Sequence, residues 1–146
     1  VHLSDLLAGI LDGNGHRLRQ RVYYEDTDFS GVVYHARYLH FLERGRTDYL
    51  RCLGIHQGQM ASDGDPDGLA FVVRHMDIDF KAAARMDDVL DIATTTKAIT
   101  GARLMLDQKI FCEDNELINA HVTIAIVNRS GRPRRLPREI ALLFEF

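Results

Sequence analysis

The chain has 146 residues, 46% of them hydrophobic and 27% charged, with a formal net charge of −3. That length suits one domain with its own core, and the mild negative charge argues against a general nucleic-acid binder. The apolar runs are too short to span a bilayer.

Residues 1–15 carry Leu3, Leu6, Leu7, Ile10 and Leu11 at helical spacing, with Ser4 as N-cap and Asp12-Gly13-Asn14-Gly15 as the closing turn. They read as an N-terminal appendage to a single domain spanning residues 16–146. Residues 16–24 alternate weakly and predict a strand. Residues 36–53 place Tyr38, Leu39, Leu42, Gly45, Tyr49, Leu50 and Leu53 on one stripe, which predicts a long amphipathic helix. Glu43, Arg44, Arg46, Asp48 and Arg51 fall largely on the other side, where Glu43–Arg46 and Asp48–Arg51 are expected to pair. Gly45 costs about 1 kcal/mol relative to Ala inside a helix. Close approach of a sheet would explain it. Gly54 is the natural residue to end the helix.

Residues 57–69 form a loop dense in Gly and Asp. Asp63, Asp65, Asp67 and Gly68 mimic the start of a calcium loop, but Pro66 and Arg74 stand at its fourth and twelfth positions and a strand pattern follows. A flexible acidic loop without metal is the expectation. Four strand-like segments come next. Residues 70–80 alternate, with Val72, Met76, Ile78 and Phe80 on one face. Residues 88–99 contain a run of threonines suited to a pleated surface. Residues 102–112 and 117–128 are joined by a hairpin signal at 113–116. Asn128 to Pro133 make a second turn, and Leu136-Pro137-Arg138 opens a short terminal helix or a last strand. A strand, one long helix and four consecutive strands predict an α+β domain, an antiparallel sheet packed on one main helix.

Cys52 and Cys112 form neither a CxxC pair nor a zinc-ligand spacing. A reduced, intracellular protein is the simpler reading. No stretch near residue 1 has the form of a signal peptide, so the expected location is the cytoplasm.

The chemistry concentrates between Tyr24 and His35. Glu25, Asp26 and Asp28 sit beside a turn at Ser30-Gly31, shortly before the long helix. A carboxylate can attack a carbonyl or activate water, and a helix start offers unpaired N–H groups to a developing oxyanion. An isolated turn carboxylate more often serves only to bond nearby backbone N–H groups.

Arg21-Val22-Tyr23-Tyr24-Glu25-Asp26-Thr27-Asp28, Gly31-Val32-Val33-Tyr34-His35, Tyr38-Leu39 and Glu43-Arg44-Gly45-Arg46-Thr47 closely resemble the hotdog-fold acyl-CoA thioesterases. The nearest subgroup is the Tol–Pal-associated, YbgC-type enzymes, related to 4-hydroxybenzoyl-CoA thioesterase. Phe71-Val72-Val73-Arg74, Arg85-Met86-Asp87-Asp88 and Leu136-Pro137 continue the match, which covers roughly residues 19–140. Phe29-Ser30 departs from the usual Ala-Gly or Pro-Ala, Gly45 from a frequent Ala, and Ala83 from a frequent Pro.

The resemblance implies a hotdog fold, with the sheet wrapped around the helix, and a homodimer or homotetramer with active sites at subunit interfaces. It implies hydrolysis of an acyl-CoA to free acid and CoA, with no cofactor beyond the coenzyme A of the substrate. Asp28 is the implied catalytic carboxylate and the backbone N–H of His35 the implied oxyanion donor. Asp26, on the same face of an extended segment, would raise the pKa of Asp28 by its charge, although a structural hydrogen-bonding role suits it better. Gly31, Val32, Val33 and Tyr34 would border the acyl group. Lys97 and Arg103, or Arg132 and Arg134 in an arginine-rich stretch, are candidates for the CoA phosphates. They are equally candidates for a solvated face or for anionic lipid head groups. Peripheral association with the inner membrane or with phospholipid-synthesis proteins is a further expectation. The rival functions are a hotdog hydratase or dehydratase and a non-catalytic partner-binding protein of the envelope machinery.

Overall fold

The computed structural model describes residues 2–56 and 68–144. Asp63, Asp65 and Asp67, with their calcium-loop spacing, lie outside the described residues. Strands β1 (Ile10–Asp12), β2 (Gly15–Arg21), β3 (Ala70–Phe80), β4 (Val89–Thr100), β5 (Arg103–Cys112) and β6 (Asn115–Val127) form one sheet in the order β1-β2-β4-β5-β6-β3. Every pairing is antiparallel. Helix α1 (Arg37–Cys52) packs on one face of it. This is the architecture that the resemblance implies.

Helix α1 buries Tyr38, Phe41, Leu42, Gly45, Tyr49 and Leu50. At Gly45 the sheet comes so close that a Cβ would lie 2.7 Å from Ile92 Cγ2. The chain leaves the helix through Gly54, at a φ of +90° that favours glycine. The core has two apolar clusters. One, around Leu18, Val22, Phe41, Leu90 and Ile110, lies under the first half of α1. The other, around Tyr49, Leu50, Leu104, Ile124 and Ile126, lies under the second half.

A polar belt crosses the core between them. The Arg46 Nη1 donates to Gln108 Oε1 at 3.1 Å, and the Gln108 amide donates to Leu42 O and Thr94 Oγ1 at 3.0 and 2.9 Å. Arg46 and Asp48 are only 8% and 7% exposed, so the expected surface pairs Glu43–Arg46 and Asp48–Arg51 do not form. Glu43 instead accepts from Thr47 Oγ1 at 2.6 Å. Burial pulls the Arg46 pKa down, and the nearby Glu43 charge opposes that pull.

Two local expectations are corrected. Residues 3–11 do not form one helix: a 3-10 turn covers Leu3–Leu6, and Ile10–Asp12 pairs with β2 as an edge strand. Gly13, at a φ of +60°, makes the hairpin turn that draws this segment into the sheet. In β3 the register shifts between Val73 and His75, a bulge at Arg74. The bulge reverses the alternation, so Phe71 joins Met76 on the core side while Val72 is exposed. Of the two forms expected after Leu136-Pro137-Arg138, the short helix is the one found: Pro137 leads into helix α2 (Arg138–Ala141) and a 3-10 turn Leu142–Phe144.

Candidate active site

Asp28 sits in a small hairpin of its own. Tyr24–Asp26 form a 3-10 turn, and Thr27 then bridges Val33 in antiparallel fashion. Within that bridge the Asp28 N–H donates to Val32 O at 2.9 Å and the Gly31 N–H to Asp28 O at 3.1 Å. Gly31 has a φ of +86°, as this tight return requires. Phe29, at the tip, is 105% exposed.

The turn is tied down on both sides. The buried Asp26 carboxylate accepts from the Tyr23 N–H at 2.8 Å and from Arg37 Nε at 3.1 Å, and its carbonyl accepts from the Tyr34 N–H at 3.0 Å. Arg37 Nη2 also donates to Glu25 O at 3.0 Å. Asp26 is therefore a structural residue. On the other side the Val33 N–H donates to Ala84 O at 2.9 Å, and the Ala84 N–H donates to the Tyr38 hydroxyl at 2.9 Å.

The Asp28 carboxylate is open to solvent on one side and fixed on the other. Its Oδ1 accepts from the Ser30 N–H at 2.8 Å and from Ser30 Oγ at 2.5 Å. The Ser30 hydroxyl, ahead of the neighbouring backbone N–H groups, holds the Asp28 pKa below the ordinary carboxylate value. This reverses the upward shift expected from Asp26, whose side chain is engaged with Tyr23 and Arg37. Asp28 is consequently ionised at neutral pH.

The hairpin runs straight into α1. Among the described residues, neither the His35 N–H nor the Ala36 N–H meets a hydrogen-bond acceptor, whereas the Arg37 N–H donates to Tyr34 O at 2.8 Å. The His35 ring packs edge-on between Tyr34 and Phe80, at centroid distances of 4.7 and 6.2 Å. Tyr34 and Phe80 are half-exposed. Val32 bridges Arg85. Val33, expected to border the acyl group, is buried in the core with Leu18, Val22 and Tyr38.

Asp28, Gly31, Val32, Tyr34 and His35 are thus brought together. The four basic candidates are not. Asp28 belongs to the end of the sheet where β4 begins, since Val22 and Val33 bond to Asp88 and Ala84. Lys97 and Arg103 lie at the other end, eight and more residues along the sheet, or about 25 Å of strand. Arg103 and Pro133 line a cavity of about 370 Å³ there. Arg132 precedes Pro133 in the same turn, its N–H donating to Asn128 Oδ1 at 3.0 Å, and Arg134 Nη1 donates to Gly68 O at 2.8 Å. Chain proximity gave no indication of which sheet end each residue would occupy.

One cluster escaped the sequence reading altogether. His16 Nε2, the Gly9 N–H and Cys52 Sγ all approach Asp48 Oδ2, at 2.7, 2.7 and 3.7 Å. His16, Asp48 and Cys52 bring metal-capable atoms within 4.8 Å of one another, but these atoms already bond to each other. Burial, ahead of the Asp48 charge, pushes the Cys52 thiol pKa up, away from a reactive thiolate. No helix among the described residues is long and apolar enough to cross a membrane.

Comparison with known proteins agrees with this geometry. The model of the thioesterase superfamily matches residues 30–119. The acyl-CoA thioesterase YbgC of Haemophilus influenzae is 42% identical over 132 residues, covering 90% of this chain and 95% of that protein. The crystal structure of a probable thioesterase from Bartonella henselae superposes with a TM-score of 0.81 at 48% identity, over 84% of this chain and 99% of that one. A 4-hydroxybenzoyl-CoA thioesterase mutant in complex with 4-hydroxybenzoyl-CoA shares the fold, with a TM-score of 0.82 at 17% identity over 91% and 100% of the two chains. A partly exposed carboxylate in a hairpin that feeds a helix, a six-stranded antiparallel sheet around that helix, and these matches lead to one conclusion: the chain belongs to the thioesterase superfamily, on its YbgC branch, and has the hotdog fold.

Proposed function

We propose that this protein hydrolyses acyl-CoA thioesters to free acid and coenzyme A. The observation that carries the reading is the Asp28 carboxylate, partly open to solvent, ionised and held by one oxygen in a hairpin that leads into the start of α1. Oδ2 attacks the thioester carbon, the C–S bond breaks, CoA leaves as the thiolate, and water then cleaves the Asp28–acyl anhydride to free acid and carboxylate; or Oδ2 takes a proton from the water that attacks, with the same C–S cleavage giving free acid and CoA directly. The N–H of His35 steadies the carbonyl oxygen as it gains charge. Gly31, Val32 and Tyr34 border the acyl group. Nothing in this scheme calls for a metal or redox cofactor.

The working form is proposed to be a dimer or a higher homo-oligomer. Strand β3 is an edge of the sheet, 11 residues long, with Val72, Val73 and Phe80 exposed along it. Such an edge invites pairing with a second copy. Antiparallel pairing of two β3 edges sets the far end of one sheet beside the Asp28 end of the other. On this arrangement Lys97, Arg103, Arg132 and Arg134 would meet CoA phosphates of the partner's site, not of their own. A cytoplasmic location, with peripheral contact at the inner membrane or with phospholipid-synthesis proteins, is the proposed setting.

The test is thiol release from a series of acyl-CoAs, with Asp28→Asn as the paired variant. The expected result is release by the wild type and a loss of kcat of at least about a thousandfold in the variant, at unchanged thermal stability. Turnover that survives the substitution, or a wild type that releases no thiol from any acyl-CoA, would overturn the reading. Hydration of crotonyl-CoA without thiol release would favour the hydratase alternative.

A further inference from the structure

Ser30 stands two residues after Asp28, in the same hairpin. Its backbone N–H and its hydroxyl both point at the same atom, Asp28 Oδ1, at 2.8 and 2.5 Å. A carboxylate oxygen that accepts two such bonds is a poor nucleophile and a poor base, because its lone pairs are engaged. The other oxygen, Oδ2, is left to the solvent side. The turn itself keeps this geometry in place, since the Gly31 N–H bonds to Asp28 O and the Asp28 N–H to Val32 O.

We propose that Ser30 is a positioning residue for the catalytic carboxylate: by holding Oδ1 twice, it reserves Oδ2 as the reactive oxygen and fixes its direction. The inference rests on the assignment of Asp28 as catalyst. An aspartate on an exposed turn has free rotation about χ1 and χ2. Each productive encounter would then require the carboxylate to be caught in one of several rotamers. The hydroxyl removes most of that freedom without burying the charge.

The hydroxyl also sets the pH range in which Asp28 can act. A donor to the ionised form favours ionisation, and Ser30 is the first cause of the low Asp28 pKa. The other titratable or charged groups beside the hairpin are Tyr24, Glu25 and Asp26, Tyr34, His35, Arg37 and Tyr38, and Arg85, Asp87 and Asp88. None of them is a cause of that shift. The base form is the active form, so activity falls as pH drops through the Asp28 pKa. Without the hydroxyl that acid limb moves up, towards neutrality.

Ser30→Ala removes only the hydroxyl and keeps the backbone donor; Ser30→Thr restores a hydroxyl. The expected result for Ser30→Ala is a fall in kcat of roughly three- to tenfold, an unchanged KM and an acid limb displaced to higher pH. Ser30→Thr should recover both. Carboxyl NMR titration of Asp28 in wild type and Ser30→Ala reads the same contact without turnover, and its midpoint should move up in the variant. An unmoved midpoint together with an unmoved acid limb overturns the proposal, as does a Ser30→Thr enzyme no better than Ser30→Ala. An active Asp28→Asn enzyme would sink the assignment of Asp28, while the titration would still report whether Ser30 holds its carboxyl.

Discussion

Two carboxylates, Asp28 and Asp48, show how one chemical group is put to opposite uses in this molecule. Asp28 lies on an exposed hairpin and has one oxygen engaged, by a neighbour two residues away. Asp48 lies inside, 7% exposed, with one oxygen shared among donors from Gly9, His16 and Cys52. Those donors come from the N-terminal segment, from β2 and from the next turn of α1. The first carboxylate keeps an oxygen for chemistry. The second spends its hydrogen-bonding capacity joining three parts of the fold, and its desolvation is compensated only while all of them are present.

Removing each group in turn should separate activity from stability. Asp28→Asn is expected to abolish turnover and leave the melting temperature alone. Asp48→Ala should do the reverse. It takes the partner from the half-buried Gly9 N–H and from the buried His16 Nε2, and His16 Nδ1 is already buried without a partner among the described residues. Two polar groups left without their partner, at roughly 1–3 kcal/mol each, make a loss of about 3 kcal/mol the expectation, read as a shift of the urea midpoint. At a temperature where the variant is fully folded, kcat should stay within about twofold of wild type. A folded Asp48→Ala protein without activity would break the division.

Gly45 lies on the helix between the two regions, against the polar belt. Helix propensity alone says that Gly45→Ala stabilises by about 1 kcal/mol. The contact geometry says otherwise, because the new Cβ meets Ile92 Cγ2 at 2.7 Å and Gln108 Nε2 and Thr94 Oγ1 at 3.3 Å. Ile92 is fully buried and has nowhere to retreat. Overpacking of this kind costs about 1–3 kcal/mol, so a net loss of about 1 kcal/mol is expected, with kcat unaffected. A gain in denaturant midpoint would show that the helix can lift off the sheet at this point.

The same contrast explains what was legible in the sequence. The 3.6-residue stripe of α1 and the order of β3 to β6 depend on local periodicity, and they were readable. The Asp28 hairpin was readable because its turn chemistry and its family motif lie within a dozen residues. Arg46 and Asp48 were placed at the surface because a charged side chain, judged alone, belongs there. Their partners, Gln108 and His16, are 62 and 32 residues away. The Arg74 bulge inverts the faces of half a strand, and its mark is a pairing register that only the neighbouring strand defines. The leucines of residues 3–11 fit a helix by spacing, but the Gly13 turn and the open edge of β2 decided the outcome. Ser30 had a short-range signal in the Asp-x-Ser spacing typical of a side chain bonding the backbone two residues on.

Arg37 offers the finest test, because it stands where the two kinds of role meet. It belongs to the first turn of α1, yet its guanidinium holds Asp26 Oδ1 at 3.1 Å and Glu25 O at 3.0 Å, and so anchors the turn that carries Asp28. Arg37→Gln keeps some length and one donor but loses the charge and the fork. Since Arg37 is 28% exposed, the stability cost should be small, about 0.5–1 kcal/mol. The kinetic cost should exceed what that figure implies. A displaced turn moves Asp28 relative to the N–H groups at the start of α1, and small misplacements of a reacting group are expensive. A three- to tenfold fall in kcat with the acid limb of the pH profile unmoved is the expected result, since Ser30 still holds Oδ1. An acid limb that shifts with Arg37→Gln would mean that the charge of Arg37 reaches Asp28 directly, and that the hairpin's two anchors are not separable.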